Sequence, residues 1–371
     1  MNTLSRFYCI VAAALICFRS VEAQSERTSF ITGSNLYTGV HCEYWNYQKS
    51  RTLETVVPLY YSMDLAAITE GLALDLVTSP TFALYSDAVT TDPFFGVANT
   101  KLRASYNYEK LVLVTAGIQI PIGTNKLSAQ ESQVAGAVST RQMAFKVARI
   151  GSGLDMDLTA ASSLEIMDNL CVGAAAGFLL HNPYVPHESG AKFNPGDEIS
   201  FTLGADYTLF TEQIKARLMG DLLFTLYTPD REAGEKVFHA GPRLTVTIMP
   251  SVTFANGNVN ALAASFMLRS GDEHLSPAGG VERDAGDDIV IANRYYFASP
   301  DIQPHALAKM SIFSPDASLS THAFVVGFGG GFAPRINRQW KLRSEAAIEI
   351  GAMNKNFLWG IEIGGGLQFA F

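Results

Sequence analysis

The chain has 371 residues, of which 48% are hydrophobic, and its formal net charge is −8. The acidic balance argues against nucleic acid as a partner, because surfaces that bind nucleic acid are basic. Beyond residue 23 the sequence contains no apolar run long enough for a membrane-spanning helix.

The N-terminal segment has the parts of a secretory signal peptide. Arg6 precedes an apolar run over residues 7–18, and Val21-Glu22-Ala23 supplies the spaced small residues of a signal-peptidase site. The apolar run is too short to span a bilayer as a helix. We therefore predict a cleaved signal peptide over residues 1–23 and one mature domain over residues 24–371.

Two of the four cysteines lie inside the predicted signal. Cys17 raises the alternative of a lipoprotein, but the bulky Leu15 and Ile16 stand where a lipobox has small residues next to its cysteine. The other two, Cys42 and Cys171, lie on remote segments and do not make a disulfide framework. The mature fold is therefore expected to depend on hydrogen bonding.

After the signal, apolar and polar residues alternate in one segment after another. A period of two indicates β-strands with one apolar face. The predicted strands cover residues 36–45, 53–67, 72–77, 100–108, 111–120, 155–161, 170–180, 199–209, 214–227, 244–254, 260–268, 289–297, 303–313, 324–332, 340–350 and 357–371. The count is sixteen, or fourteen if residues 289–313 belong to a loop.

Residues 122–152 interrupt the alternation and predict one long loop. Ser128 stands three residues before Glu131, which is the spacing of a helix capping box, so we expect a short helix within the loop. Residues 142–148 alternate briefly, but a strand there would put the later long connections at both ends of the sheet. We therefore expect the whole segment to fold over or into the mouth of a barrel.

The last predicted strand, 357–371, gives the clearest sign of its surroundings. Its odd-numbered residues are large and apolar except for Gly365, whereas Glu362 and small residues occupy most of the others. The glycines at 364–366 exclude a helix, because each costs about 1 kcal/mol in a helix interior. One apolar face opposite a small or polar face is the pattern of a strand in a membrane barrel.

This strand resembles the terminal strand of bacterial outer-membrane β-barrels, which ends in Phe and has apolar residues at alternate positions before it. The resemblance implies that Phe369 and Phe371 form part of the signal read by the barrel-assembly machinery. It also implies a location in the outer membrane after secretion through the inner membrane. We predict an all-β fold, a closed antiparallel transmembrane meander barrel of 14 to 16 strands in outer-membrane lipid.

Two short segments are similar to the outer-membrane transporter group that includes the long-chain fatty-acid and aromatic-hydrocarbon transporters. They are Gly117-Ile-Gln-Ile-Pro-Ile-Gly123 and residues 195–204, which read PGDEISFTLG. This resemblance implies transport of hydrophobic small molecules. The group's plugging N-terminal segment has no counterpart here, because only about a dozen residues separate Gln24 from the first predicted strand, and this disfavours that function.

The polar faces of the predicted strands carry the candidate functional residues. A charged side chain that faces hydrocarbon costs about 2 to 4 kcal/mol at the bilayer midplane, so the alternation assigns these residues to the lumen. Opposed charges along an aqueous pore select solutes by charge. The predicted selectivity residues are Lys101, Arg103, Lys215, Arg217, Asp221, Arg243, Lys341, Arg343, Glu345, Glu349 and Glu362. The competing interpretation is that these charges pair with one another and only fill the interior.

Catalysis, a cofactor and a metal ion are each disfavoured. His187 and Ser189 form a His-x-Ser pair of the kind that outer-membrane phospholipases use, but they stand beside Pro183 and Pro186 in a predicted loop. The seven histidines lack the spacing of metal ligands. We therefore predict a protein that is not an enzyme and holds no cofactor and no metal.

Together these features predict a passive outer-membrane channel for small solutes, with a charged aqueous lumen. Two alternatives stay open. One is a transporter for hydrophobic small molecules, and the other is a non-conducting structural barrel whose surface loops bind another protein. The sequence carries no signal of a particular oligomeric state.

Overall fold

The computed structural model describes residues 34–370, apart from 66–67, 110, 124–125, 141–142, 144, 148–152, 189, 212, 277–278, 284–285, 300, 315–321 and 338. The predicted signal peptide, 1–23, and Phe371 lie outside the described residues. Within the described part of the chain, no helix is long and apolar enough to cross a bilayer.

The described residues form one helix and twenty-two strand segments. In chain order they are β1 (Asn35–Tyr47), β2 (Ser50–Val56), β3 (Leu59–Asp64), β4 (Leu72–Ser86), β5 (Thr91–Tyr108), β6 (Val112–Ile120), α1 (Ala129–Val138), β7 (Asp155–Met167), β8 (Leu170–His181), β9 (Phe193–Asn194), β10 (Glu198–Phe210), β11 (Ile214–Tyr227), β12 (Asp230–Glu232), β13 (Glu235–His239), β14 (Arg243–Phe254), β15 (Val259–Arg269), β16 (Asp272–Ser276), β17 (Gly279–Arg283), β18 (Asp288–Tyr296), β19 (His305–Phe313), β20 (Ala323–Phe332), β21 (Trp340–Met353) and β22 (Asn356–Ala370).

Seventeen of the segments pair antiparallel into one closed sheet. Both β2 and β3 pair with β1 on one side and β4 on the other, so they form one barrel strand and the barrel has sixteen. The break between them falls at Val57-Pro58, since proline has no backbone N–H to donate. The barrel closes because β1 pairs with β22, from Asn35 opposite Ala370 to Tyr47 opposite Leu358.

The two ends of the barrel differ in their connections. The end that carries Asn35 and Ala370 has short connections, including 168–169 and 255–258. All the long connections lie at the opposite end, and segments from three of them pair into a second sheet of β9, β12, β13, β16 and β17. The sequence did not predict this small sheet, because its strands are two to five residues long and too short to show alternation.

Apolar side chains cover the outside of the barrel. Phe328 on β20 is 63% exposed and Leu203 on β10 is 60% exposed. In β22, Phe357 and Ile363 point outward and are exposed, whereas Leu358 and Glu362 point inward and are buried. The predicted all-β closed barrel, with an apolar outer face and a polar or small inner face, is confirmed.

The structure differs from the strand prediction at β4 and β5, and it decides between the two predicted strand counts. β4 and β5 extend through residues 78–86 and 91–99, where no strand was predicted. The alternation fails there because the inward residues Ala83 and Phe94 are apolar and buried. Residues 289–313 form the paired strands β18 and β19, so the fourteen-strand alternative is wrong.

The connection 121–154 folds into the barrel and carries the predicted helix. Ser128 Oγ accepts from Glu131 N at 3.3 Å, and Glu131 Oε2 accepts from Ser128 N at 2.9 Å, so the capping box is present. The described residues within 126–147 are called the insert below. Val134 and Val138 on α1 are fully buried, which places this helix against the barrel wall.

A glycine on β22 makes room for the largest inward side chain. A Cβ added at Gly360 would lie 2.7 Å from Trp45 Cε3 and 2.8 Å from the Tyr44 carbonyl oxygen. Trp45 is 2% exposed and belongs to the apolar cluster beneath the insert. The absence of a side chain at residue 360 therefore sets how closely β22 and the Trp45 ring approach.

We expect Gly360→Ala to lower barrel stability by about 1 to 3 kcal/mol, the usual cost of overpacking. Thermal unfolding followed by heat-modifiable gel migration measures the change. Gly136→Ala is the matched control, because a Cβ there meets nothing within 4 Å and alanine favours the helix. Equal unfolding temperatures for both variants would contradict the packing account.

Candidate functional site

The insert packs its apolar residues against one side of the barrel interior. Val134, Val138, Met143 and Phe145 of the insert join a buried cluster with inward side chains of the wall. Those wall residues are Trp45, Ala83, Phe94, Phe313, Ala323, Val325, Met353 and Leu358. They belong to β1, β4, β5 and β19 to β22, near the strand ends that meet the long connections.

A buried carboxylate holds the backbone of the insert. Glu54 on β2 is 0% exposed, and its Oε2 accepts from Lys146 N at 2.9 Å and from Val147 N at 3.3 Å. The Lys146 Nζ atom lies 3.3 Å from Glu362 Oε1 on β22. Burying a charge is costly unless it is paired and hydrogen-bonded, so these contacts couple the seating of the insert to the stability of the wall.

Three glutamates stand side by side on neighbouring strands. Glu43 on β1 is directly opposite Glu54 on one side and Glu362 on the other. Like charges directly opposite each other destabilise a sheet. Glu43 Oε1 accepts from Trp45 Nε1 at 2.8 Å, and the His41 Nε2 atom lies 3.6 Å from both Glu43 Oε2 and Glu362 Oε1.

Lysine, arginine and histidine on the next strands offset the remaining acidic charge. Lys309 on β19 forms ion pairs with Glu362 and with Glu349 on β21, the latter at 3.2 Å from Nζ to Oε1. Glu345, two inward positions from Glu349 on β21, accepts from Arg294 Nε at 3.0 Å. The His305 Nε2 atom lies 3.0 Å from the same Glu345 Oε2.

The opposite side of the lumen carries separate ion pairs. Lys101 Nζ on β5 lies 2.7 Å from Asp157 Oδ2 on β7, and Arg103 Nε lies 4.0 Å from Asp157 Oδ1. On β11, the Arg217 guanidinium binds the Asp206 carboxylate of β10 with two nitrogens, with Nε donating to Oδ1 at 2.9 Å. These charges pair locally, as the competing interpretation expected. Asp157, Asp206 and Arg217 lie on strands outside the apolar cluster of the insert, whereas β5, which carries Lys101 and Arg103, contributes to that cluster.

Two further predicted residues contact aromatic rings. The Arg243 Cζ atom on β14 lies 4.7 Å from the centre of the Tyr227 ring, at the end of the barrel with the long connections. Lys215 Nζ lies 5.0 Å from the Phe210 ring centre, at the opposite end. Cations over aromatic faces gain about 0.5 to 1 kcal/mol at exposed sites.

The other predicted residues are spread along the inner wall. Asp221 lies directly opposite Thr247 of β14. Lys341 and Arg343 lie near the start of β21, opposite Gln368 and Gly366. The structure therefore brings Glu345, Glu349 and Glu362 into one charge network and leaves Lys341, Arg343 and Asp221 at other places on the wall.

Sequence reasoning missed several inward charges that complete these networks. They are His41, Glu43, Glu54, Lys146, Asp157, Arg294 and Lys309. Most of them occupy inward-facing positions of predicted strands. The alternation that identified their partners could therefore have identified them too. Lys146 differs, because only the fold shows that a loop residue reaches the lumen.

A neighbouring connection holds the start of the insert. Leu127 N donates to the Pro186 carbonyl oxygen at 2.9 Å, and Glu188 N donates to the Leu127 carbonyl oxygen at 3.1 Å. The His187 Nδ1 atom lies 3.0 Å from Ser132 Oγ, which itself donates to the Ser128 carbonyl oxygen. His187 thus contacts α1, and Ser189 lies outside the described residues.

Two other sequence predictions concern metal binding and the C-terminal strand. In the described ranges, no group of three or more His, Cys, Asp and Glu side chains is arranged to hold a metal ion. The Phe369 ring packs on Trp340 with centroids 4.4 Å apart, on the outer face near the end of β22. Its role as an assembly signal stays a prediction.

No family model matches the sequence, and no curated protein matches it. Solved structures with a similar fold include the CymD monoaromatic hydrocarbon channel, with 10% identity over 96% of this chain and 94% of that one, at a TM-score of 0.49. Another is OpdK of Pseudomonas aeruginosa, solved with vanillate, with 8% identity over 91% and 99%, at 0.47. A third is the outer membrane protein OprD of Pseudomonas aeruginosa, with 10% identity over 96% and 98%, at 0.45.

Proposed function

We propose that this protein is an outer-membrane channel through which small solutes diffuse passively. The observation that carries the proposal is the contrast between the two faces of one closed barrel. Large apolar side chains are exposed outside, whereas ion pairs such as Arg217 with Asp206 lie inside. Lipid favours the first surface and water the second, and sixteen strands enclose more space than their own side chains fill.

The charged interior favours a water-filled channel over a path for hydrophobic molecules. The inner apolar cluster around Trp45 and Phe94 is covered by Val134 and Val138 of the insert, so it does not face a passage. Inward charges such as Arg217 and Asp206 keep partial exposure. Charged walls of this kind select hydrated solutes by their charge.

Targeting and assembly complete the proposal. Residues 1–23 direct secretion, and the chain then reaches the outer membrane, where the barrel-assembly machinery reads the end of β22 including Phe369 and Phe371. The mature barrel then contacts lipid through its exposed apolar side chains. Its function needs no enzyme activity and no cofactor.

Conductance of the purified protein in planar bilayers tests this proposal. We expect ohmic current that rises with salt concentration, from protein whose gel migration is heat-modifiable. A folded barrel that passes no current but takes up a hydrophobic ligand would support the transporter instead. A folded barrel with neither property would support a structural role for its surface loops.

A further inference from the structure

We infer that solutes cross the barrel along one half of its wall, formed by β6 to β18, and that hydrated polar solutes are the class that this route takes. The inference rests on the proposed channel function and adds where the path runs. It also divides the inward charges into those that solutes meet and those that hold the insert in place.

Contacts of the insert place it on the other half of the wall, from β19 through β22 to β5. This half is called the covered arc below, and β6 to β18 are called the open half. Its apolar residues form one cluster with side chains of β1, β4, β5 and β19 to β22, and its polar contacts with the barrel wall are with Glu54 on β2 and Glu362 on β22. The start of the insert also bonds to the connection between β8 and β10, outside the wall. The strands of the covered arc are contiguous around the barrel, because β22 closes on β1. The insert therefore lines a continuous arc of the lumen and narrows it from that side.

Inward residues are more deeply buried beneath the insert than on most strands of the other half, where the buried ones are Asp155, Thr225 and Asp288, near the ends with the long connections. On the arc beneath the insert, Thr52 is 2% exposed, Ala323 is 3% exposed and Leu358 is fully buried. In β8, β10, β14 and β15, by contrast, every residue keeps at least partial exposure. Inward residues of those four strands therefore face open space in the lumen.

Ion pairs on the open half indicate the class of solute. The side chains of Arg217 and Asp206 are 33% and 27% exposed, whereas those of Glu349 and Glu362 on the covered arc are 13% and 11% exposed. The pair of Arg269 and Asp288, at the long-connection end of the open half, is 15% and 10% exposed. A passage lined by exposed ion pairs contains water, so a polar solute loses little of its hydration shell there.

Substituted cysteines test the route. In a background with Cys42→Ser and Cys171→Ser, Thr245→Cys on β14 reports the open half and Thr52→Cys on β2 reports the covered arc. Both threonines point inward, near the strand ends with the long connections. The probe is the small anionic thiol reagent 2-sulfonatoethyl methanethiosulfonate, applied to the folded protein in vesicles, with mass spectrometry for labelling and planar bilayers for current.

We expect Thr245→Cys to be labelled and its conductance to fall. Thr52→Cys should react at least about tenfold more slowly, because a covered thiol reacts only during local opening. Equal labelling rates, or faster labelling at residue 52, would overturn the route. Labelling at residue 245 in a background protein that passes no current would support the open half while contradicting the channel function, so the two failures are distinguishable.

Discussion

Glu54→Ala should displace the insert and increase single-channel conductance. The buried Glu54 carboxylate accepts from two backbone N–H groups of the insert, at Lys146 and Val147. Removing it leaves both donors without their acceptor, and a buried unsatisfied group costs about 1 to 3 kcal/mol. Since about 1.4 kcal/mol corresponds to a tenfold change in an equilibrium constant, the displaced state should gain roughly tenfold or more in population. Single-channel recording should show larger mean current and more fluctuation in the open level.

The matched control is Glu54→Gln, which keeps one acceptor oxygen and nearly the same volume. Because Glu54 Oε2 alone accepts both bonds, the glutamine carbonyl oxygen can replace it. Glutamine also removes one negative charge from the row with Glu43 and Glu362, which relieves repulsion. We expect the conductance of this variant to stay near the parent value. Parent-like current and noise in a folded Glu54→Ala protein would show that the apolar cluster alone holds the insert.

The barrel itself could be predicted because its signal is local and repeated. Each strand needs only a period of two, and residues such as Phe357 and Ile363 satisfy it without reference to the rest of the chain. The prediction failed where the inner wall becomes apolar. Ala83 and Phe94 face the insert rather than water, so their strands lose the contrast between faces. The contact with the insert makes these two strands unrecognisable from alternation alone. The same contact defines the candidate site.

The candidate site was less predictable because it depends on which strands become neighbours. The row of Glu54, Glu43 and Glu362 joins residues from both ends of the sequence, and only closure of β22 on β1 brings them together. Alternation assigned Glu362 to the lumen but gave it no partner. The contact of Lys146 with that carboxylate requires the insert to enter the barrel, and the capping box at Ser128 predicts the helix without predicting its destination.

Charge changes on the open half should alter ion selectivity. Arg217 binds Asp206 with two guanidinium nitrogens, and both side chains keep contact with the lumen. Arg217→Gln removes one positive charge and frees the aspartate, and Arg217→Glu adds a second negative charge beside it. Under a tenfold KCl gradient we expect the reversal potential to move toward the cation limit by on the order of 10 mV, out of the 59 mV available to a monovalent ion. The shift should be larger for glutamate than for glutamine.

Glu349→Gln supplies the matched comparison, because it also changes one charge but lies on the arc beneath the insert. Lys309 keeps its ion pair with Glu362 in that variant, so the network loses one charge without losing its lysine partner. Its reversal potential should stay within a few millivolts of the parent value, since solutes pass on the other side. If Glu349→Gln shifts the potential as much as Arg217→Gln does, ions sample both halves equally, and the charges beneath the insert must be counted among those that select.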